Sequence, residues 1–122
     1  MSKMAKTRLS DVAAYTTRDG SEIRELMHPA VHGNRSQSLA EAIVQPGQQT
    51  HLHRHRLSEE LYHVTRGAGV MVLAGETLSI AAGDTVLIPP GSAHCVTATG
   101  NAALHILCCC SPAYSHDDTE LL

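Results

Sequence analysis

The feature that most constrains this chain is the length of its apolar runs between residues 39 and 111. Each run is only about four to eight residues long and is followed by Gly, Pro or Asn. Such runs, with turn residues roughly every 8 to 12 positions, are typical of an all-β sandwich or barrel. No stretch in this region keeps a helical period long enough to compete with that interpretation. We therefore predict an all-β fold whose barrel covers residues 39–111.

The chain divides into three parts, and its 122 residues are enough for one modest core. Residues 1–38 are polar and form an N-terminal arm, which contains a turn signal at Asp19-Gly20. Within the arm, Ser21–His28 is ambiguous between a short helix and an edge strand, and we interpret it as a strand. Residues 112–122 form a polar tail that we expect to pack outside the barrel or to fray.

Charge and hydropathy argue against two kinds of partner. The net charge is −3 and the nine Lys and Arg residues are scattered along the chain, so we expect no nucleic-acid partner. No apolar run approaches the roughly 20 residues of a membrane span, and the start of the chain lacks the apolar segment of a secretory signal. We therefore expect a cytoplasmic protein with no membrane partner. The consecutive Cys108, Cys109 and Cys110 are interpreted as reduced, small apolar side chains.

The stretch GQQTHLHRHRLSEELYHVTRG carries the densest group of chemistry-bearing side chains. His51, His53 and His55 occupy alternate positions, so on a strand they share one face at about 7 Å between successive Cα atoms. Two imidazoles at that spacing can converge on one metal ion, and a carboxylate would complete a mixed nitrogen and oxygen set.

The carboxylate of such a site requires a break in the strand. Glu60 lies an odd number of residues after His55 and would face the other way on a continuous strand. We expect the break at residues 56–58. In the returning strand Glu60 and Tyr62 share one face while Glu59 lies on the other, and periodicity alone does not choose between the two glutamates.

The spacing resembles the first sequence motif of the cupin superfamily, G-x5-H-x-H-x3,4-E-x6-G. The residues that match it in full are Gly47, His53, His55, Glu60 and Gly67. Within this resemblance the six-residue interval before the last glycine selects Glu60 rather than Glu59.

A second stretch resembles the other cupin motif, G-x5-P-x-G-x2-H-x3-N. It is matched by Gly83, Pro89, Gly91 and His94, whereas Ala98 stands where the motif ends in Asn. The resemblance, to a small single-domain cupin, implies a double-stranded β-helix, which is an antiparallel jelly-roll barrel. It also implies one divalent metal ion per chain, held by His53, His55, Glu60 and His94.

Four protein ligands leave up to two open positions on an octahedral ion, as a Lewis-acid or oxygen-activating centre needs. The resemblance therefore implies a metal-dependent enzyme that acts on a small organic substrate, and we rank an Fe(II)-type dioxygenase first. The alternatives are a non-redox isomerase, a decarboxylase, a polyketide-cyclase-like protein, or a cupin that binds a small molecule without turnover. The identity of the metal, Fe, Mn, Ni or Zn, stays open.

Two further side chains are candidates for catalysis. His51 shares the strand face of the proposed metal-binding histidines and would line the barrel. Tyr62 shares the face of the proposed carboxylate ligand, with packing as its alternative role. We expect the rest of the pocket to be largely apolar, lined by residues such as Val64 and Val96, and to suit a small organic anion or a dicarbonyl-like substrate. The resemblance also implies a homodimer, in which residues 22–27 could add to the partner's sheet.

Overall fold

Two antiparallel sheets form the body of the protein in the computed structural model, which describes residues 4–122. The first sheet has the order β1-β2-β3-β10-β5-β8. Its strands are β1 (Tyr15–Thr16), β2 (Glu22–Met27), β3 (Ser38–Val44), β5 (Glu59–Arg66), β8 (Thr85–Ile88) and β10 (Leu104–Ser111). The second sheet has the order β11-β4-β9-β6-β7. Its strands are β4 (His53–His55), β6 (Ala68–Leu73), β7 (Glu76–Ala81), β9 (His94–Thr99) and β11 (Thr119–Leu121).

Helical structure is confined to short segments in the part of the chain that the structure describes. They are a four-residue helix α1 (Pro29–His32) and two 3₁₀ turns, Leu9–Asp11 and His116–Asp118. No helix among residues 4–122 is long and apolar enough to span a membrane. The all-β class and the jelly-roll arrangement predicted from the sequence are confirmed.

The core lies between the sheets because alternate side chains of the long strands point inward. In β5 buried residues alternate with exposed ones, and in β10 with half-buried ones, along almost the whole strand, as expected for strands with one face on the core. The largest fully buried side chains are Met71, Ile88, Leu104, Ile106, His94 and Val64. The presence of His94 in this set shows that the core is continuous with a polar site.

The arm and the tail both contribute strands to the sheets. The segment interpreted as a strand is β2, and that interpretation is confirmed. It pairs with β3 of its own chain, with Glu22 opposite Ile43. The tail differs from the expectation that it packs outside or frays, because β11 pairs with β4 and places Thr119 opposite His55. Both segments are long enough to fold back onto the edges of the barrel.

Candidate metal centre

Three imidazoles meet at one end of the second sheet. β4 turns His53 and His55 inward, and β9 begins at His94, which lies directly opposite His53 in the sheet register. Their exposed fractions are 3%, 4% and 0%. One nitrogen from each ring lies within 4.8 Å of the other two. The three histidines selected from the sequence are therefore brought together.

Two of these rings are oriented by main-chain carbonyl groups. His53 Nδ1 lies 2.8 Å from the carbonyl oxygen of His51, and His94 Nδ1 lies 2.9 Å from that of Ser92. A carbonyl oxygen only accepts hydrogen bonds, so Nδ1 carries the proton in both rings. In the neutral form of such a ring the Nε2 lone pair is free to bind a metal, which is how outer hydrogen bonds usually orient ligating histidines.

The third ring, His55, is oriented by a hydroxyl group from the tail. His55 Nδ1 lies 2.9 Å from Thr119 Oγ1, and the same hydroxyl donates to the carbonyl oxygen of Ser115 at 2.9 Å. Because that hydroxyl proton is already used, Thr119 accepts from His55. All three rings therefore direct their Nε2 atoms away from their Nδ1 partners.

Glu60 adds a buried carboxylate to the imidazoles. The strand breaks at residues 56–58 as predicted, and β5 then buries Glu60 and leaves Glu59 exposed. Glu60 Oε1 lies 3.3 Å from His55 Nε2 and 3.4 Å from His94 Nε2. Burial alone would raise the pKa of Glu60, but the proximity of these two histidines lowers it to about 2. The side chain is therefore a carboxylate at neutral pH.

The arrangement of these donor atoms fits a metal ion. Within the described residues, Glu60 Oε1 and His94 Nε2 are buried without a hydrogen-bond partner, an unfavourable state unless a further group satisfies them. Two atoms that bind one ion at about 2.1 Å each lie roughly 3.0–3.4 Å apart when the angle between them is right-angled or tetrahedral. The observed separations of 3.3 and 3.4 Å match this requirement.

The centre opens into a pocket whose free space, including its solvent-filled mouth, is about 580 Å³. The arm supplies much of its polar wall, through Thr17, Asp19, Ser21 and Glu25. Of the described residues that line the pocket, none is Lys or Arg. Most of the accessible lining of the pocket is apolar, as expected, but the expectation left out the carboxylates that the arm adds to it. Val64 and Val96 lie in the closed core instead of lining the pocket.

The two candidate catalytic residues have different positions. His51 is exposed, and its expected inward orientation is wrong because β4 begins only at His53, so strand alternation does not extend back to it. Its main chain is nevertheless close to the site, since its carbonyl oxygen orients His53. Tyr62 is buried and lines the pocket, with its ring edge-on to His94 at 5.8 Å between centroids. Burial raises the pKa of Tyr62 well above its ordinary value, so the phenol is neutral.

Several residues of the site were missed from the sequence. Cys110 Sγ donates a hydrogen bond to Glu60 Oε2 at 3.2 Å. Burial raises the pKa of this thiol, so the side chain is neutral. It is therefore not a nucleophile, which agrees with the interpretation of the cysteines as small, reduced side chains. The inward alternation of Cys108 and Cys110 was the available signal for that contact. For Asp19, Tyr114 and Thr119, which also line the pocket, no local pattern pointed to the site.

Comparisons with known proteins agree with this fold. The family described as the cupin domain matches residues 40–110. The uncharacterized protein MJ1618 of Methanocaldococcus jannaschii is 48% identical over 120 residues, which are 98% of this chain and 96% of that protein. An oxalate-binding protein of Thermotoga maritima is 30% identical over 86 residues, covering 70% of this chain and 71% of that protein. The solved polyketide cyclase RemF of Streptomyces resistomycificus superposes with a TM-score of 0.79 at 25% identity, over 89% of this chain and 80% of that chain.

Proposed function

Since this chain belongs to the cupin family, we propose that it is a metal-dependent enzyme that acts on a small, oxygen-rich organic substrate. The observation that carries the proposal is the position of Glu60 Oε1, buried without a hydrogen-bond partner among the described residues and within 3.4 Å of two imidazole nitrogens. The proposed ligands are His53, His55, Glu60 and His94. This donor set contains oxygen and no thiolate, unlike most closed structural zinc sites.

The pocket above the site supports a substrate without negative charge. Asp19, Glu25 and Glu60 line it, and no Lys or Arg among the described lining residues balances them. Three carboxylates exceed the charge of one divalent ion, so an anionic substrate would meet net repulsion. We infer that the substrate presents carbonyl or hydroxyl oxygens. Tyr62 and Thr17 line the same pocket, and their hydroxyl groups would donate hydrogen bonds to such oxygens.

A bound divalent ion would supply Lewis-acid chemistry and, as Fe(II), the activation of dioxygen. The protein's own contribution is to orient the substrate and exclude bulk water from a site whose histidines are at most 4% exposed. Among reactions, we rank oxidation by dioxygen first. Non-redox cyclisation is the second candidate, because the similarity to RemF, a polyketide cyclase, favours it.

Metal reconstitution tests the proposed function. The metal-free protein is loaded anaerobically with Fe(II), Mn(II), Ni(II) or Zn(II), and the bound metal is measured by elemental analysis. We expect about one ion per chain, complete loss of binding in His55→Ala, and normal binding in the control His51→Ala, whose side chain is exposed. Oxygen uptake is then measured with uncharged dicarbonyl and polyphenol compounds. A protein that binds none of the four ions contradicts the proposal.

We also propose that the protein forms a homodimer through the outer face of the first sheet. An apolar row crosses this face in register on five neighbouring strands: Met27, Leu39, Cys109, Leu61 and Leu87. Leu61 and Leu87 are 42% and 53% exposed. A contiguous apolar row of this kind is a common feature of interaction surfaces. A second copy of the chain presents the same row and would therefore be complementary to it.

A further inference from the structure

The N-terminal arm brings a second carboxylate to the metal centre. Asp19 Oδ2 lies 3.7 Å from His53 Nε2, and the Asp19 side chain is 13% exposed. The carboxylate lines the same pocket as Glu60. Glu60 approaches the site at His55 and His94, so the two carboxylates approach different imidazoles of the same cluster.

The orientation of Asp19 is held by its own turn. One carboxylate oxygen, Oδ1, accepts hydrogen bonds from the main-chain nitrogen and the hydroxyl of Ser21, at 2.9 and 2.6 Å. Ser21 is only 3% exposed. The turn is closed by main-chain hydrogen bonds between Thr17 and Ser21 and between Gly20 and Thr17, and Gly20 has a φ of 91° that favours glycine. With Oδ1 engaged by Ser21, Oδ2 is the oxygen that faces His53.

The main chain also ties Asp19 to His53. The nitrogen of His51 donates to the carbonyl oxygen of Asp19 at 2.7 Å, and the carbonyl oxygen of His51 accepts from His53 Nδ1 at 2.8 Å. The same short segment therefore positions the imidazole and the turn that carries the carboxylate. The imidazole and the carboxylate are therefore preorganised, because hydrogen bonds fix the two groups relative to each other.

We propose that Asp19 Oδ2 is a fifth protein donor to the metal ion, which makes the set three imidazoles and two carboxylates. The inference rests on the proposed metal-binding function. Two atoms that each bind one ion at about 2.1 Å are at most about 4.2 Å apart, and the 3.7 Å between Asp19 Oδ2 and His53 Nε2 is within this limit. Among the described residues, the donor atoms that already lie within 4.8 Å of one another are those of the three imidazoles, so both carboxylates would close in on the ion as it binds. Five donors leave one open position on an octahedral ion. They also favour Mn(II) or Fe(II) over a tetrahedral Zn(II) site.

The test compares Asp19→Ala with Glu25→Ala, because both remove one carboxylate from the lining of the same pocket. Each variant and the wild type are loaded with Mn(II). The dissociation constant is measured by titration, and the number of water molecules on the ion is measured by ¹⁷O relaxation. We expect one more water and at least about 10-fold weaker binding in Asp19→Ala. In Glu25→Ala the water number should be unchanged and the affinity within about 3-fold of wild type, as for a side chain outside the ligand shell.

A second variant, Asp19→Asn, keeps an oxygen for the Ser21 hydrogen bonds and covers the case in which Asp19→Ala disrupts the turn. It should also bind Mn(II) at least about 10-fold more weakly than wild type. An unchanged water number in Asp19→Ala, with or without a loss of affinity, would overturn the inference and leave the proposed function standing. A wild-type protein that binds none of the four metals would instead overturn the proposed function.

Discussion

At the scale of single residues, the site depends on which side chains the strands turn inward. Glu59 and Glu60 are neighbours with the same chemistry, yet Glu60 is 5% exposed and Glu59 is fully on the outside of β5. The inward position puts Glu60 Oε1 within 3.4 Å of two imidazoles. Burial without a partner and proximity to these nitrogens are the reasons why Glu60, and not its neighbour, is the proposed ligand.

The first prediction is that Glu60→Gln weakens metal binding and Glu59→Gln does not. Replacing the carboxylate by an amide removes the negative charge that faces the ion, and we expect a loss of about 10-fold or more in affinity. Glu59→Gln changes the charge of the protein by the same amount on an exposed side chain, so it is the matched control. Competition with a coloured chelator measures the metal dissociation constant of each variant. Equal effects of the two substitutions would reject Glu60 as a ligand.

The second prediction concerns Thr119, which acts through His55. Thr119→Val removes the acceptor of the His55 Nδ1 proton at nearly constant volume, so the ring is no longer held in the metal-binding tautomer. We expect about 10- to 100-fold weaker metal binding. Thr85→Val is the control, because Thr85 makes the same contact with the exposed His63, at 2.8 Å. An equally tight site in Thr119→Val would show that this hydrogen bond does not orient the ring.

At the scale of elements, the turn between β4 and β5 positions Glu60, and the tail holds this turn. Asp118 accepts from the main-chain nitrogens of Leu57 and Ser58 at 2.8 and 3.0 Å. Burial alone would raise the pKa of Asp118, but the hydrogen bonds from Ser58 and Leu57 lower it below its ordinary 3.8. The ionised side chain is therefore part of the folded structure, and its stabilising effect depends on pH.

The third prediction follows from the sign of that shift. A carboxyl group whose pKa is lower in the folded state stabilises the protein above its unfolded pKa, and the effect is lost as pH falls through the folded value. Asp118→Asn should therefore destabilise the protein at pH 7 by about 1–3 kcal/mol, from weakened buried hydrogen bonds. The difference from wild type should shrink below the ordinary pKa of 3.8. Urea unfolding at pH 7 and pH 3 measures the difference in unfolding free energy between the variant and the wild type. Asp117→Asn is the control, because Asp117 is the exposed neighbour of Asp118. A difference that is constant with pH would contradict the charge argument.

The fourth prediction concerns the connection between β5 and β6. Gly67 and Gly75 have similar φ values of 82° and 83°. A Cβ added at Gly67 would clash with a main-chain atom, the carbonyl oxygen of Ala103. A Cβ added at Gly75 would have no atom within 4 Å. Gly75→Ala should cost about 1–2 kcal/mol, the strain of a left-handed residue. Gly67→Ala should cost clearly more, because β10 must also move. Thermal unfolding of the two variants measures the difference, and similar midpoints would reject the steric explanation for Gly67.

At the scale of the whole molecule, the two sheets differ in the surface that they leave exposed. The fifth prediction is that the proposed dimer depends on the apolar row of the first sheet. Light scattering should give a mass of about twice 13.0 kDa for the wild type, since burial of the row favours association. Leu61→Glu with Leu87→Glu should shift the protein to a monomer. Leu57→Glu is the control, because Leu57 is 72% exposed but lies in the turn before β5, outside the row. A wild type that is monomeric at micromolar concentration would reject the dimer.

The sequence by itself determined the all-β class and the break after β4, and its resemblance to the two cupin motifs selected the four residues proposed as metal ligands. These features depend on interactions that are local in the chain. Strand alternation and turn residues act over a few positions, and the spacing of His53, His55 and Glu60 reflects one strand, one turn and the start of the next strand. His94 was included because a second motif has equally local spacing.

Only the tertiary structure decided what surrounds those ligands. Thr119 reaches His55 across 64 residues and Cys110 reaches Glu60 across 50, through sheet pairings whose register no local pattern specifies. Asp19 and the acidic wall of the pocket come from an arm that the sequence pattern left unplaced. The wrong expectation that the His51 side chain points inward has the opposite cause. Strand alternation was applied to a residue that lies before the start of its strand. The proposed ligands could be selected because the two motifs that resemble those of cupins are each short and local, whereas the pocket is formed by distant segments that meet only when the sheets close.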